Sequence, residues 1–448
     1  MSSPGSQLLQ VLEGHSSDIT YCDFFGHYLA TCSSDKSVKL WFFNNDHHFE
    51  EASFSPLLGH TYGVNCVRFS PFGTVLASCS TDGTVILWNV QNGEKMNELK
   101  HSSGSPVRVC SFIPSSAILA TGGDDEQIVL WDISTKSAVR ILEGHEAMIS
   151  AVAFTPDSAL LASCSTSGDV MLWDARYGHG KYLFSCSDVH DLGVLGCDFS
   201  SQYEASSGSG SLSSCYIFAT CGNDDLVKLW YIQFGVQCSM TLSAVLEGHS
   251  GNVMSCHFST DGMLLASTAG DKTVILWDTS TGQALQKLQG HNRYVTCCAF
   301  SSNSLLATGS NDKTVRVWSL DKSKLQDLSL NTAVTTAGQL PSHEKFSISS
   351  WTENDVCSWL KQLMLDEYTE IFQKQAIDGK ELVHLTHESL LTVLKIEALG
   401  HRNKILRGIQ ALRNPLWQHI IPENDDATVP EEFYCPITHE IMYKSYDK

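Results

Sequence analysis

The chain has 448 residues, 42% of them apolar, with a formal net charge of -20 and 16 cysteines, a composition that suits several globular domains or one large repeat array. The acidic balance, without any run of Lys or Arg, argues against nucleic acid or an anionic membrane as partner. The opening "MSSPGSQLLQ" carries no basic region followed by an apolar one, and no apolar run approaches the roughly 18 residues of a membrane span, so neither secretion nor membrane insertion is expected.

Repetition governs the first 320 residues. Tryptophans stand at Trp41, Trp88, Trp131, Trp173, Trp230, Trp277 and Trp318, mostly close to the spacing of about 40–45 residues that a four-stranded repeat needs. Ten residues before each is a hydroxyl: Thr31, Ser78, Thr121, Ser163, Thr220, Ser267 and Thr308. Six residues before is a carboxylate, Asp35, Asp82, Asp125, Asp224, Asp271 or Asp312, except in the fourth repeat, which has Ser167. Further upstream lies a histidine, His15, His60, His101, His145, His190, His249 or His291, usually as Gly-His, followed by an apolar strand ending in Phe. The stretch "LASCSTDGTVILW" displays the local logic: an apolar strand, a tight turn, then an alternating strand ending in Trp. An indole N–H, a hydroxyl, an imidazole and a carboxylate can satisfy one another in a single hydrogen-bonded chain, which explains why the four types recur together. Recurrence in register marks a scaffold; a catalytic Ser-His-Asp site would be needed once. These residues resemble the WD-repeat family, and the resemblance implies a seven-bladed all-β propeller over 1–320 whose tetrads tie the strands of each blade together.

An apolar strand precedes the first Gly-His as it precedes the others, so the N-terminal strand is expected to complete the seventh blade and remove the open sheet edges. The fifth repeat carries extra residues that include "SQYEASSGSGSL", whose Ser and Gly content reads as a flexible surface loop. Cys22, Cys110, Cys197, Cys256 and Cys298 sit two residues before the repeat Phe, and Cys32, Cys79, Cys164 and Cys221 nine before Trp. Cysteine at these periodic strand positions serves as a small core residue, so reduced thiols in the cytoplasm or nucleus are expected, with no disulfide and no metal.

Residues 321–346 lose the repeat and read as a linker. In "SSWTENDVCSWLKQLML", Thr352 and Asp355 form a capping pair, and Val356, Trp359, Leu360 and Leu363 follow at helical spacing. The order Trp351, Val356, Trp359, Leu360, Tyr368, Phe372, Ile377, Leu382, Leu390, Leu394, Gly400 and Ile405 resembles a SAM domain, a small all-α bundle, over 347–414. Such domains are interaction modules. Many self-associate by setting an acidic mid-domain surface against the basic start of the last helix, and the matching residues here are Asp366, Glu367, Glu370 and Asp378 on one side and His401, Arg402, Lys404 and Arg407 on the other.

After a second linker, 415–429, residues 430–448 begin "PEEFYCPITHEIM". Cys435 has no partner cysteine pair, so a zinc site is not expected. The segment resembles the start of a U-box, a fold that holds its loops without metal, and in that family the position matching Ile437 contacts the ubiquitin-conjugating enzyme. Only about the first quarter of a U-box is present, and so short a piece cannot bury a core of its own. The order of WD repeats, SAM domain and U-box resembles a family of ubiquitin ligases. It implies a propeller that chooses client proteins, a SAM domain that sets assembly, and ubiquitin transfer by proximity without a covalent intermediate. The conjugating enzyme is expected as partner only where the U-box is complete, and the alternative for this chain is a non-catalytic scaffold or competitor. No cofactor and no catalytic residue are expected.

Overall fold

The computed structural model describes residues 5–325, apart from 45–46, 116, 177–179, 207–212, 236–237, 303 and 322–323, together with part of 353–405. The chain divides into two compact units, Met1–Val334 and Thr335–Lys448.

The first unit is a seven-bladed propeller in which every blade is an antiparallel sheet read from the ring centre outward. The second blade shows the plan, with strands Val64–Phe69, Val75–Ser80, Thr84–Asn89 and Lys95–Lys100 paired in that order. The seventh is built from Val295–Phe300, Leu305–Ser310 and Thr314–Leu320, and its outermost strand is Ser6–Glu13 from the other end of the unit. Leu8 stands opposite Trp318 and Leu12 opposite Val315, so the first and last repeats share one sheet. The first blade lacks an unbroken outer strand; Phe49–Glu51 and Leu57–Leu58 each pair with part of Ser37–Phe43.

Burial follows the period-two pattern. The middle strands are covered on both faces, as in Leu160–Ser165 and Leu305–Ser310, every residue of which is buried. Side chains such as Leu119 and Ile128 have no exposed surface, and each contributes about 1.5–3 kcal/mol of transfer free energy. Adjacent blades meet through small residues. A Cβ added to Gly309 would lie 2.6 Å from Ile19 Cγ2 of the first blade, so the position nine before Trp must stay small.

The fifth blade departs from the expected flexible loop. Residues Val194–Ser206 and Ser213–Gly222 are strands that continue beyond the ordinary blade, with a bulge between Phe199 and Tyr203 and pairs running out to Ser206 opposite Ser213. Tyr203 stacks on Tyr216 at 5.6 Å, the Tyr216 hydroxyl donates to Asp157 of the fourth blade at 2.6 Å, and Gln202 donates to the Asp261 carbonyl of the sixth at 2.7 Å. Anchors on both neighbouring blades hold the stem extended despite its Ser-rich composition. Only 207–212, the "SGSGSL" tip, lies outside the described residues.

In the second unit, α1 spans Glu353–Gln362 and α2 spans Thr369–Lys374, with a 3-10 turn at Asp366–Tyr368 between them. Val356, Trp359, Leu360, Leu365, Phe372, Ile377, Leu382, Leu390, Leu394, Ile396 and Ile405 form one buried cluster. Trp351, Thr352, Leu363 and Gly400 lie outside the described residues.

Candidate interaction surfaces

The four recurring residue types meet in one chain of hydrogen bonds per blade. In the first, Trp41 Nε1 donates to Thr31 Oγ1 at 3.0 Å, His15 Nε2 lies 3.0 Å from the same hydroxyl, and His15 Nδ1 lies 2.9 Å from Asp35. The remaining sets have Trp-to-hydroxyl distances of 2.8 Å for Trp88–Ser78, 2.8 Å for Trp131–Thr121, 2.9 Å for Trp230–Thr220, 2.8 Å for Trp277–Ser267 and 3.1 Å for Trp318–Thr308. His60, His101, His190, His249 and His291 bridge those hydroxyls to Asp82, Asp125, Asp224, Asp271 and Asp312. Each hydroxyl is wholly buried, and the carboxylate does more than orient the imidazole. Asp82 also accepts the backbone N–H of Thr61 at 2.8 Å and that of Thr84 at 3.0 Å, tying the incoming loop to the turn. Burial disfavours its charge, but hydrogen bonds from Thr84 and Thr61 and the nearby His60 outweigh it and lower its pKa to about 2.

The fourth blade is incomplete. Trp173 donates to Ser163 at 2.9 Å and His145 Nε2 lies 2.7 Å from the same oxygen, but His145 Nδ1 is buried without a partner. Ser167, which stands where the carboxylate would be, bonds Ser165 and Asp169 at 2.6 Å each and leaves the imidazole alone. Burial, only partly opposed by Asp169, pulls His145 down to about 4. The assemblies are spread around the ring, one per blade, and six of the seven are complete internal networks.

The described cysteines are all free thiols, and those at the periodic positions are buried. Cys66 and Cys110, on neighbouring blades, have sulfurs 3.9 Å apart, and burial raises the Cys66, Cys32 and Cys298 thiols well above their ordinary range. A disulfide reagent added to the native protein is therefore expected to modify the half-buried Cys186, Cys215 and Cys238 first, with the inner-strand thiols reacting only in guanidinium. Peptide mapping that finds Cys22 or Cys298 labelled early under native conditions would contradict this.

The SAM candidates are placed unevenly. Glu367 and His401, from the two supposedly opposite faces, approach each other within one domain at 3.1 Å, and the Tyr368 hydroxyl reaches the same His401 nitrogen at 2.8 Å. Arg402 is half-buried and donates to the Ile396 carbonyl at 2.7 Å. Asp378 caps a turn by accepting the Glu381 N–H at 3.0 Å. Side-chain positions of Asp366 and Glu370, and all of Lys404, Arg407 and Ile437, lie outside the described residues.

One set of exposed residues escaped the repeat-based reading. The position after the tetrad Asp is Lys36, Lys272 or Lys313 in three blades, each exposed at positive φ, and the exposed Tyr62 and Tyr294 lie in the loops beside those turns. The Asp-Lys dipeptides five and six residues before Trp were the available sequence signal.

Family comparisons agree with this architecture. The model for "WD domain, G-beta repeat" matches residues 6–41, 52–89, 93–132, 136–174, 240–278 and 282–319, and that for "SAM domain (Sterile alpha motif)" matches 348–413. A Homo sapiens protein named "WD repeat, SAM and U-box domain-containing protein 1" is 42% identical over 97% of this chain and 87% of its own length. Proteins of the same name from Gallus gallus and Danio rerio are 41% and 38% identical over 97% of the chain, covering 87% and 88% of their lengths. The chain therefore belongs to the family of WD repeat, SAM and U-box domain-containing proteins.

Proposed function

We propose that this protein works in protein ubiquitination, with the propeller as client receptor and the SAM domain as assembly module. The single observation that supports this most is the similarity to U-box-named relatives along nearly the whole chain, joined to a closed propeller whose repeated polar residues are consumed in structure. A protein-interaction role follows from the propeller itself; ubiquitin transfer and the choice of client are the proposed part. Affinity capture with the propeller as bait, followed by assay of each captured protein as a ubiquitin acceptor, tests the receptor role. Failure to capture any protein reproducibly would refute it.

Assembly through the SAM domain has its own test. Arg402 braces the domain internally, so Arg402→Glu is expected to destabilise the SAM unit by about 1–3 kcal/mol, seen as an earlier thermal transition. Lys404→Glu is the better probe of head-to-tail pairing and should reduce self-association in sedimentation without shifting that transition. A chain that remains monomeric at every salt concentration before any substitution would remove the assembly role.

A further inference from the structure

One face of the propeller, the one bearing the turns between second and third strands, is divided by charge. The turn position after the tetrad residue is left-handed in every blade, with φ of 76° at Lys36, 78° at Gly83, 63° at Glu126, 99° at Gly168, 65° at Asp225, 70° at Lys272 and 71° at Lys313. Glycine adopts this conformation without steric cost, and Gly83 and Gly168 show that the turn accepts it. The backbone therefore gives no reason for lysine. Yet Lys272, Lys313 and Lys36 occupy the sixth, seventh and first blades, which are consecutive around the closed ring, while the third and fifth carry Glu126 and Asp225.

Aromatic residues lie between the basic turns. Tyr62 is 61% exposed, and Lys36 Nζ stands 5.8 Å from its ring centroid. Tyr294 is 51% exposed; its carbonyl accepts the Asn311 N–H of the seventh-blade turn at 3.0 Å, and its Cδ1 would lie 3.8 Å from a Cβ on Gly270 of the sixth-blade turn. Tyr294 thus sits between the turns that carry Lys272 and Lys313, with the exposed Arg293 beside it. Lysine ion pairs among the described residues of the propeller unit use Lys39, Lys95, Lys100, Lys228, Lys287 and Lys324, and none of the three arc lysines.

We propose that this arc, Lys272, Tyr294, Lys313, Lys36 and Tyr62, is the client-binding surface and receives an acidic protein segment interspersed with apolar side chains. The inference rests on the propeller being a client receptor and adds the chemistry of what it receives. Carboxylates of the segment meet the lysines, and its apolar side chains lie on the two rings, whose faces offer large contact area at small entropic cost. Charge complementarity selects a short segment over a long polyanion. Beyond the arc the same face presents exposed Glu126, Glu146 and Asp191 on a chain of net charge -20, which repels a nucleic acid reaching past the basic blades.

The experiment uses the full chain and three labelled probes: a peptide of alternating glutamate and leucine, its lysine–leucine counterpart, and single-stranded oligouridine, followed by fluorescence anisotropy. The acidic peptide is expected to bind best, to weaken as salt rises, and to lose about tenfold in affinity with Lys36→Glu, Lys272→Glu and Lys313→Glu combined, the sum expected of three exposed ion pairs. Reversing Glu126 and Asp225 to lysine should leave it bound, and circular dichroism checks that each variant keeps its sheet. Equal affinity of the triple variant, preference for the basic peptide, or tighter binding of oligouridine would each overturn the proposal. Proteins captured equally by the wild-type and triple-variant propellers would overturn the arc alone, whereas a wild-type propeller that captures none would overturn the receptor role itself.

Discussion

Asp271→Ala is expected to destabilise the propeller by about 1–3 kcal/mol, whereas Ser167→Ala in the fourth blade should change stability by a few tenths. Asp271 accepts from His249, from the Ser250 N–H at 3.1 Å and from the Thr273 N–H at 3.0 Å, so its loss strands a buried imidazole and frees the incoming loop. Ser167 contacts neither its histidine nor that loop. The converse substitution is also informative. Ser167→Asp supplies an acceptor for His145 and should raise stability by about 1 kcal/mol. Its pH dependence fixes the sign. A histidine held near 4 in the folded state and about 6.5 unfolded contributes stability that is complete above pH ~6.5 and is lost as pH falls toward 4. A carboxylate beside His145 raises the folded pKa and flattens that loss. The Asp82 contribution, with a folded pKa of about 2, is present above pH ~4 and lost only below it. Wild type should therefore lose stability in two stages on acidification, and Ser167→Asp should diminish the first. Calorimetry between pH 7 and pH 3 reads both, and equal Tm losses for Asp271→Ala and Ser167→Ala would refute the assignment.

The second large effect is all-or-none. A polypeptide of these 448 residues, supplied with activating enzyme, a panel of conjugating enzymes, ubiquitin and ATP, is expected to build no ubiquitin chains above background. In the family that 430–448 resembles, the position of Ile437 is one part of the docking surface, and a polypeptide offering that part alone must order it at each encounter. Proximity catalysis fails when the thioester is not held beside the acceptor lysine. Chelators should alter nothing. Robust transfer that disappears with Ile437→Ala would overturn this expectation and show that 430–448 suffices or is completed by another chain. Appending a complete U-box to residue 429 should restore transfer if the propeller and SAM domain serve the proposed ligase.

The propeller was largely legible because six of the seven blades commit four unlike residues to one internal network, and indole, hydroxyl, imidazole and carboxylate at fixed spacing have few other reasons to recur. Small cysteines two before Phe were readable for the same reason: periodicity placed them on a buried strand face. The fifth-blade extension was not readable, because "SQYEAS" is anchored through Gln202 to Asp261 and its partner strand through Tyr216 to Asp157, each contact spanning 59 residues of chain. Composition is a local property and cannot see such anchors. Contacts inside the SAM domain are hidden from a reading by charge for a related reason. The residue type of Arg402 does not disclose that its guanidinium donates to the Ile396 carbonyl. The turn lysines do not stand out from the repeat, because the network fixes the Asp of six turns and leaves the residue after it free to vary.

The strand Ser6–Glu13 is made first and placed last. Its partner Thr314–Leu320 leaves the ribosome some three hundred residues later, roughly 15–60 s at ~5–20 residues per second. Through that interval Leu8, Leu9, Val11 and Leu12 have no sheet to join, while earlier blades can already fold against one another. Closing the ring is then a search across nearly the whole unit, a contact of very high sequence separation and slow for that reason. Molecular chaperones that hold this nascent chain should be engaged at the amino-terminal strand until translation passes Leu320, and a circular permutant that makes the strand directly after Leu320 should need them less.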